Sequence, residues 1–275
     1  MQTKPRRPFR YDPKGVSRGR STLFQFGAIA VVAVFALGLF YFIVVHGHHN
    51  NSSPPGTAGA EAIRVASPKL ITAPGTTQPK AVLTVYEDFL CPICGNFEQV
   101  VGSTVNNLID TGAVAADYHM VAILDRGNRD YSSRAGAAAY CVADQSVDAF
   151  RRFHAALYAQ QPSEQGSSFP DNARLIEIAR ESGAGGNTAD CINSGKYIDT
   201  VKSMADAAGI KGTPTIRING QDWNPPTVPN GDAISISPAA PQQLIDKVKA
   251  IVGDVPGLVV GTSAPSPSAP APGTS

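Results

Sequence analysis

Several features that define large classes of protein are scarce in this sequence. Among its 275 residues only 16% are charged, the net charge is +1, and there are four cysteines. The chain has a single long apolar run, which excludes a multipass transporter. The last fourteen residues, from position 262 onward, are Thr, Ser, Ala, Pro and Gly only, so this tail cannot contribute to a core. What remains is long enough for one substantial folded region.

The apolar run extends from Gly27 to Val45 and contains nineteen residues without a charge. At about 1.5 Å per residue, a helix of this length crosses the roughly 30 Å hydrocarbon layer of a membrane. Seven basic residues and one acid precede it, so the positive-inside rule predicts a cytoplasmic N-terminus and an extracytoplasmic remainder. A cleaved signal peptide is the alternative, but the run exceeds the usual length of about 7 to 15 residues and no small-x-small site follows directly.

The part that follows the apolar run has 16 basic and 21 acidic residues. This balance of −5 argues against a nucleic-acid partner, because a duplex binder normally presents a basic surface. His46, His48 and His49 lie in a flexible polar tether with no neighbouring carboxylate, so we predict no metal site there.

Two of the four cysteines are separated by two residues at a predicted junction between a strand and a helix. Ala81 to Phe89 is an apolar and β-branched run typical of a buried strand. After the junction, apolar residues recur at helical spacing, at Phe97, Val101, Val105 and Leu108. Pro92 suits the first helical turn, so Cys91 should lie at the N-terminus of a helix and Cys94 one turn further in.

The rest of the chain predicts an α/β fold that a helical block interrupts. A second strand is expected from Val114 to Leu124, a third from Thr215 to Asn219, and a final helix from Pro241 to Val252, with helices dominating in between. The predicted organisation has seven segments. They are a basic tail (1–22), a transmembrane helix (23–45), a tether (46–66), a first α/β part (67–125), a helical insertion (126–208), a second α/β part (209–260) and a disordered tail (261–275).

A Cys-x-x-Cys at a helix N-terminus suits thiol-disulfide exchange. Such exchange needs an attacking thiolate and a nearby second thiol that releases the mixed disulfide. The helix N-terminus favours an anion and lowers the pKa of Cys91, while Cys94 is the natural resolving thiol. A structural bridge or half of a zinc site is the alternative, although zinc requires a second closely spaced pair, and Cys141 and Cys191 are 50 residues apart.

A second signal is the run GIKGTPTIRING, from Gly209 to Gly220. A proline makes the cis peptide isomer accessible, and a cis Thr213-Pro214 bond beside the Cys-x-x-Cys would expose backbone for pairing with an extended substrate. The alternative is an ordinary trans proline that opens an edge strand.

The runs VYEDFLCPICGNF, from Val85 to Phe97, and GIKGTPTIRING together resemble the DsbA-like branch of the thioredoxin superfamily, in particular its membrane-anchored actinobacterial members. The resemblance covers about residues 62–253. It implies a thioredoxin-like fold with a helical insertion, with Cys91 as nucleophile, Cys94 as resolving cysteine and Thr213-Pro214 as the substrate loop. It implies no cofactor.

The resemblance also predicts partners and the roles of further residues. The substrates would be reduced exported proteins, and the chain, a membrane-anchored monomer, would be reoxidised by a quinone-linked membrane oxidase of the VKOR or DsbB type. The family's usual buried acid is replaced by Val85, so Glu87 or Asp88 is either a modulator or an exposed acid without a catalytic role. Pro92 and Ile93 would tune the potential.

The remaining cysteine pair and the direction of electron flow leave alternatives open. Four thiols allow three pairings, and spacing favours Cys91 with Cys94 and Cys141 with Cys191. The second pair is predicted to be a structural disulfide between two insertion helices, with a second redox pair as the alternative. His119 and His154 are expected to be core or surface residues. A thiol oxidase is our first hypothesis, a reductase or isomerase the second, and an anchored binding module with inert disulfides the third.

Overall fold

The computed structural model describes residues 62–126, 129–231 and 233–261. Four predicted segments lie wholly or mostly outside these residues: the basic tail at 1–22, the transmembrane helix at 23–45, the tether at 46–66 and the disordered tail at 261–275. In the stretch that is described, no helix has both the length and the apolar character needed to cross a membrane.

A mixed sheet forms the centre of the fold. Its strands are β1 (Ile63–Val65), β2 (Val82–Glu87), β3 (Ala115–Met120), β4 (Thr215–Ile218) and β5 (Gln221–Asp222), in the spatial order β1-β3-β2-β4-β5. The strands β2 and β3 are parallel and the other neighbours are antiparallel. Val85 on β2 pairs with Tyr118 and Ile216 on the two adjacent strands, so β2 is the buried central strand that leads to Cys91.

Helices and a separate two-stranded hairpin complete the described part of the chain. The helices are α1 (Pro92–Asp110), α2 (Tyr131–Ala143), α3 (Val147–Ala159), α4 (Asn172–Glu181), α5 (Thr188–Ser194), α6 (Ile198–Ala207) and α7 (Ala240–Val252). The hairpin pairs β6 (Thr227–Asn230) with β7 (Ala233–Ile236). Helices α2 to α6 follow one another between β3 and β4, in the interval where the sequence predicts a helical block.

Helix α1 connects β2 to β3, and its predicted apolar stripe packs against the core. All four stripe residues are buried: Phe97, Val101, Val105 and Leu108. Contacts with α7 and with the hairpin strand β7 cover other parts of α1. Because α1 is fixed along its length, the cysteines at its N-terminus occupy a defined position relative to the sheet.

Three sequence-based boundaries are corrected by the structure. The strand β1 lies inside the stretch predicted as a tether, because Ile63 and Val65 bury their side chains while pairing with β3. The strand predicted from Val114 to Leu124 ends at Met120, since the chain then leaves the sheet and the Leu124 N–H binds the Asp88 carboxylate. The short strands β5 to β7 are not predicted at all; their side chains are largely exposed, so they lack a hydrophobic pattern.

Candidate active site

The active-site turn joins the end of β2 to the start of α1. Strand β2 ends at Glu87, and the Cys91 N–H donates to the carbonyl of Asp88 over 2.9 Å. Cys91 is the N-cap of α1 and Pro92 occupies the first helical position, where a missing N–H costs nothing. The cysteine therefore stands at the positive end of the helix, as predicted.

The two active-site thiols differ in their access to solvent. Both are free cysteines, with Cys91 7% exposed and Cys94 completely buried. The Cys91 thiol donates to the carbonyl oxygen of Thr213 over 3.3 Å. Pro92 is exposed and Ile93 half-buried. Of the two cysteines, Cys91 is therefore the one with some exposure to solvent, while Cys94 has none.

The surroundings shift the pKa values of the two thiols in opposite directions. Hydrogen bonds from the Cys94 thiol, from the Thr213 side chain and from the first backbone N–H groups of α1 lower the pKa of Cys91 to about 6, against the opposing effect of burial. Burial raises the pKa of Cys94 well above its ordinary value, and the neighbouring Cys91 and Glu87 charges add to this effect. At neutral pH Cys91 is therefore a thiolate and Cys94 a thiol.

The loop before β4 approaches the thiols from the sheet. The Thr213-Pro214 peptide bond is cis, and both residues are half-buried. They line an open groove together with Lys211, Arg217 and Asp222. Thr213, whose backbone carbonyl contacts Cys91, thus borders this groove.

Asp88 organises the turn and does not face solvent. Its carboxylate accepts hydrogen bonds from the Leu90 N–H (2.8 Å) and the Leu124 N–H (2.9 Å). Both Asp88 and Glu87 are completely buried, which excludes the alternative that either is an exposed acid and leaves a modulating role as a prediction. Burial raises the pKa of Asp88, although its hydrogen bonds oppose this shift.

Glu87 belongs to a largely buried cluster that it forms with Glu98, whose side chain is 12% exposed, and with His154. Its Oε2 lies 2.8 Å from His154 Nε2, and Glu98 Oε2 lies 3.9 Å from His154 Nδ1. Four aromatic rings surround the imidazole at centroid distances between 5.0 and 5.6 Å: Phe89, Tyr118, Phe150 and Tyr158. We call Glu87, Glu98 and His154 the buried cluster.

The buried cluster holds protons at neutral pH. Burial raises the pKa of Glu87 and of Glu98 to about 8, and burial lowers the pKa of His154. Both carboxyl groups are therefore protonated and the imidazole is neutral at pH 7. The ligand atoms of the three side chains lie within 4.8 Å of one another, close enough to share a cation, but a cation would first have to displace these protons.

Sequence reasoning did not assign a role to Glu98 or to His154. Glu98 follows Cys94 by four residues and therefore lies on the same face of α1. This spacing could have indicated that Glu98 lies near the active-site cysteines. His154 lies on the buried face of α3 with Phe150 and Leu157, as expected for a core histidine. His154 reaches Glu87 because α3 packs against α1. Sequence spacing cannot predict this tertiary contact.

The other cysteine pair lies in the helical insertion. Cys141 on α2 and Cys191 on α5 are bonded, with an S–S distance of 1.99 Å. His119 on β3 stacks on Tyr86 with ring centroids 4.5 Å apart, and burial lowers the pKa of His119 to about 4. Within the described residues, neither the Cys141–Cys191 disulfide nor His119 is hydrogen-bonded to Cys91 or Cys94.

Comparisons with known proteins give a family match and several similar solved structures. The thioredoxin family model matches residues 71–234, which is more than half of the chain. The reduced DsbA of Mycobacterium tuberculosis is 56% identical, with a TM-score of 0.66, over 72% of this chain and 96% of that protein. A disulfide bond oxidoreductase (DsbG) from the same organism is 57% identical over 72% of this chain and 90% of its own, also with a TM-score of 0.66.

More distant relatives share the fold or a segment. MdbA from Corynebacterium matruchotii, a thiol-disulfide oxidoreductase, is 24% identical with a TM-score of 0.51 over 63% of this chain and 89% of its own. The serine/threonine-protein kinase PknE of Mycobacterium tuberculosis is 30% identical over 162 residues, which are 57% of this chain and 29% of the kinase. The chain thus spans under a third of the length of the curated relatives that it matches.

The match to the family model, at 71–234, contains the strand-turn-helix that carries Cys91 and Cys94 and the loop at Thr213. The more similar solved structures share the fold of this region. The predicted thioredoxin-like α/β fold is therefore confirmed. The chain belongs to the thioredoxin family, among the DsbA-like thiol-disulfide oxidoreductases.

Proposed function

We propose that this protein introduces disulfide bonds into exported proteins through the Cys91-Pro92-Ile93-Cys94 site. The observation that carries the proposal is the environment of Cys91, whose pKa is lowered to about 6 at a surface where another sulfur can reach it. A thiolate that the protein stabilises is a good leaving group, and its stabilisation favours the reduced form of the pair. An enzyme whose reduced form is stabilised tends to pass its disulfide to a substrate.

The transfer proceeds in two exchanges. A substrate thiolate attacks the Cys91 sulfur of the Cys91–Cys94 disulfide, which breaks the S–S bond and releases Cys94 as a thiolate. A second substrate thiolate then attacks the substrate sulfur of the mixed disulfide, which forms the substrate disulfide and releases Cys91 as a thiolate. Two electrons pass from the substrate thiols to the cysteine pair.

Glu87 supplies the proton that the first exchange requires. Because burial raises the pKa of Cys94 well above its ordinary value, its thiolate must be protonated as it leaves. Glu87 has a pKa of about 8 and lies near enough for its charge to affect Cys94. It is therefore protonated at neutral pH and more acidic than the departing thiol, as a general acid must be.

The groove beside Pro214 receives the substrate chain. In the thiol form Cys91 donates to the carbonyl of Thr213, so a substrate segment that pairs with this loop presents its sulfur to Cys91. Such pairing uses main-chain hydrogen bonds and therefore accepts many sequences, as an enzyme with diverse exported substrates requires.

The experiment that tests the direction combines two measurements on the same protein. The reduction potential of the Cys91/Cys94 pair is determined against glutathione, and the oxidised protein is mixed with a reduced, unfolded protein whose activity needs its disulfides. We expect an oxidising potential and recovery of activity. A potential near that of thioredoxin without recovery would assign the protein to the reductases.

Location and partner are part of the same proposal. The apolar run at 27–45 anchors the chain in the membrane as a single span, with the catalytic domain in the cell envelope, and a quinone-linked membrane oxidase of the VKOR or DsbB type regenerates the disulfide. In a Cys94→Ala variant expressed in its own cell, we expect mixed disulfides between Cys91 and exported proteins, identified by mass spectrometry. Labelling of the variant from outside intact cells checks the orientation.

A further inference from the structure

One side chain of the helical insertion reaches the active-site turn. Gln161 follows α3 by two residues, and its Nε2 donates to the carbonyl of Phe89 over 3.0 Å and to that of Cys91 over 2.9 Å. Both amide hydrogens are thus used. The opposite orientation of the amide would place its oxygen against two carbonyl oxygens, so the hydrogen bonds determine the orientation.

Side chains from outside the active-site turn donate hydrogen bonds to its backbone carbonyl groups. The carbonyl of Asp88 accepts from the Cys91 N–H and also from the Tyr158 hydroxyl, the latter over 3.3 Å. The carbonyl of Cys91 accepts from the Gly95 N–H, the first bond of α1, over 3.1 Å. Tyr158 in the last turn of α3 and Gln161 just after it therefore hold backbone carbonyl groups of the turn, including that of the reactive cysteine.

Gly95 provides the space for the Gln161 amide. A Cβ atom at Gly95 would lie 2.3 Å from Gln161 Oε1 and 3.0 Å from its Cδ, far inside contact distance. The backbone of Gly95 is helical, and within a helix glycine is less favourable than alanine. The close approach of Gln161 therefore gives a physical reason for a glycine in the first turns of α1.

We infer that Gln161 is a positioning residue for Cys91, and that Gly95 and Gln161 act as one unit. The inference deepens the proposed function, since it rests on Cys91 being the nucleophile. The two hydrogen bonds fix the backbone around Cys91, so that its sulfur meets Thr213 and the N–H groups of α1. Without them the turn is free to move, and the hydrogen bonds that favour the thiolate weaken.

The test measures the alkylation rate of Cys91 against pH in reduced protein, for single variants and their combination. We expect Gln161→Ala and Gly95→Ala each to raise the midpoint by about half a pH unit, a roughly threefold loss of thiolate stabilisation. The double variant should match either single one, because alanine at position 95 already displaces the amide. Gln161→Glu, which turns an oxygen toward both carbonyls, should raise the midpoint further.

Gln160→Ala is the matched control, because the Gln160 side chain binds Arg174 and not the turn. Its midpoint should equal that of the wild type. Unchanged midpoints in Gln161→Ala and Gln161→Glu, or additive shifts in the double variant, would overturn the inference. If Gln161→Ala does not fold, Gly95→Ala and Gln161→Glu provide the same comparison. A wild-type midpoint near that of an ordinary cysteine would contradict the proposed function itself, which separates the two failures.

Discussion

Glu87 and His154, 67 positions apart in the sequence, lie side by side in the protein interior with 2.8 Å between the Glu87 Oε2 and His154 Nε2 atoms. Glu87 comes from the central strand β2 and His154 from the insertion helix α3. Their contact links the insertion to the strand that carries the active site. It also fixes Glu87, which is protonated at neutral pH, near enough to the buried thiol of Cys94 for its charge to affect the pKa of that thiol.

The reactivity of Cys91 should follow a low pKa. Only the thiolate is alkylated, so in the reduced protein the rate of reaction with iodoacetamide should rise with pH through a midpoint near 6 and then level off. In Cys94→Ala the midpoint should move upward toward the ordinary value, because the Cys94 thiol is the largest source of the lowered pKa. A midpoint near 9 in the wild type would contradict the proposed chemistry.

Replacing Thr213 should raise the pKa of Cys91, but by less than replacing Cys94 does. The Thr213 side chain is a weaker source of thiolate stabilisation than Cys94, and Thr213→Val removes its hydroxyl while keeping its shape. We expect the Cys91 alkylation midpoint to rise by less than it does in Cys94→Ala. A shift equal to or larger than that of Cys94→Ala would mean that the loop, and not the second thiol, governs the nucleophile. Thr227→Val, on the exposed hairpin strand β6, is the control.

Glu87→Gln should slow the transfer of the disulfide without changing the fold. Glutamine has nearly the same shape but cannot give up a proton, so formation of the mixed disulfide should slow by about 10²-fold at pH 7. Stopped-flow fluorescence or acid-quenched mixing with a reduced peptide measures this rate. The exposed Glu177→Gln is the matched control. A rate in Glu87→Gln within about twofold of the wild type would exclude Glu87 as the proton donor.

The same variant should change how stability depends on pH. The pKa of Glu87 is raised from 4.5 to about 8 in the folded protein, so its contribution to stability is fully present below pH 4.5 and is lost as pH rises through about 8. Oxidised Glu87→Gln should therefore lose less unfolding free energy than the wild type over this range. Urea denaturation at several pH values measures the difference, and parallel curves would contradict the assignment.

The Cys141–Cys191 disulfide should stabilise the insertion without serving in catalysis. In the chain-entropy model, closing a loop with a sequence separation of 50 contributes about 4 kcal/mol to the free energy of unfolding. We expect the Cys141→Ala, Cys191→Ala double variant to lose about this amount in urea denaturation and to keep its refolding activity while folded. Loss of that activity in folded protein would make the pair a second redox site.

Local features of this protein follow from the sequence because they involve residues close together along the chain. The spacing of Cys91 and Cys94, the position of Pro92 and the apolar stripe of α1 depend only on helical geometry. The β-branched run before them similarly predicts the buried strand β2. These features predicted the redox motif at a strand-helix junction and, through the resemblance, the family.

The tertiary structure alone decided which distant residues meet the site. Glu98 and His154 join Glu87, and Gln161 joins the turn, because α3 packs against α1 and the end of β2. No periodicity encodes such a contact, since it depends on how the helices of the insertion fit together around side chains of particular volume. The short strands β5 to β7 escaped prediction for a related reason: most of their side chains are exposed and Ile236 is the one that is fully buried, so they have almost no apolar pattern to read.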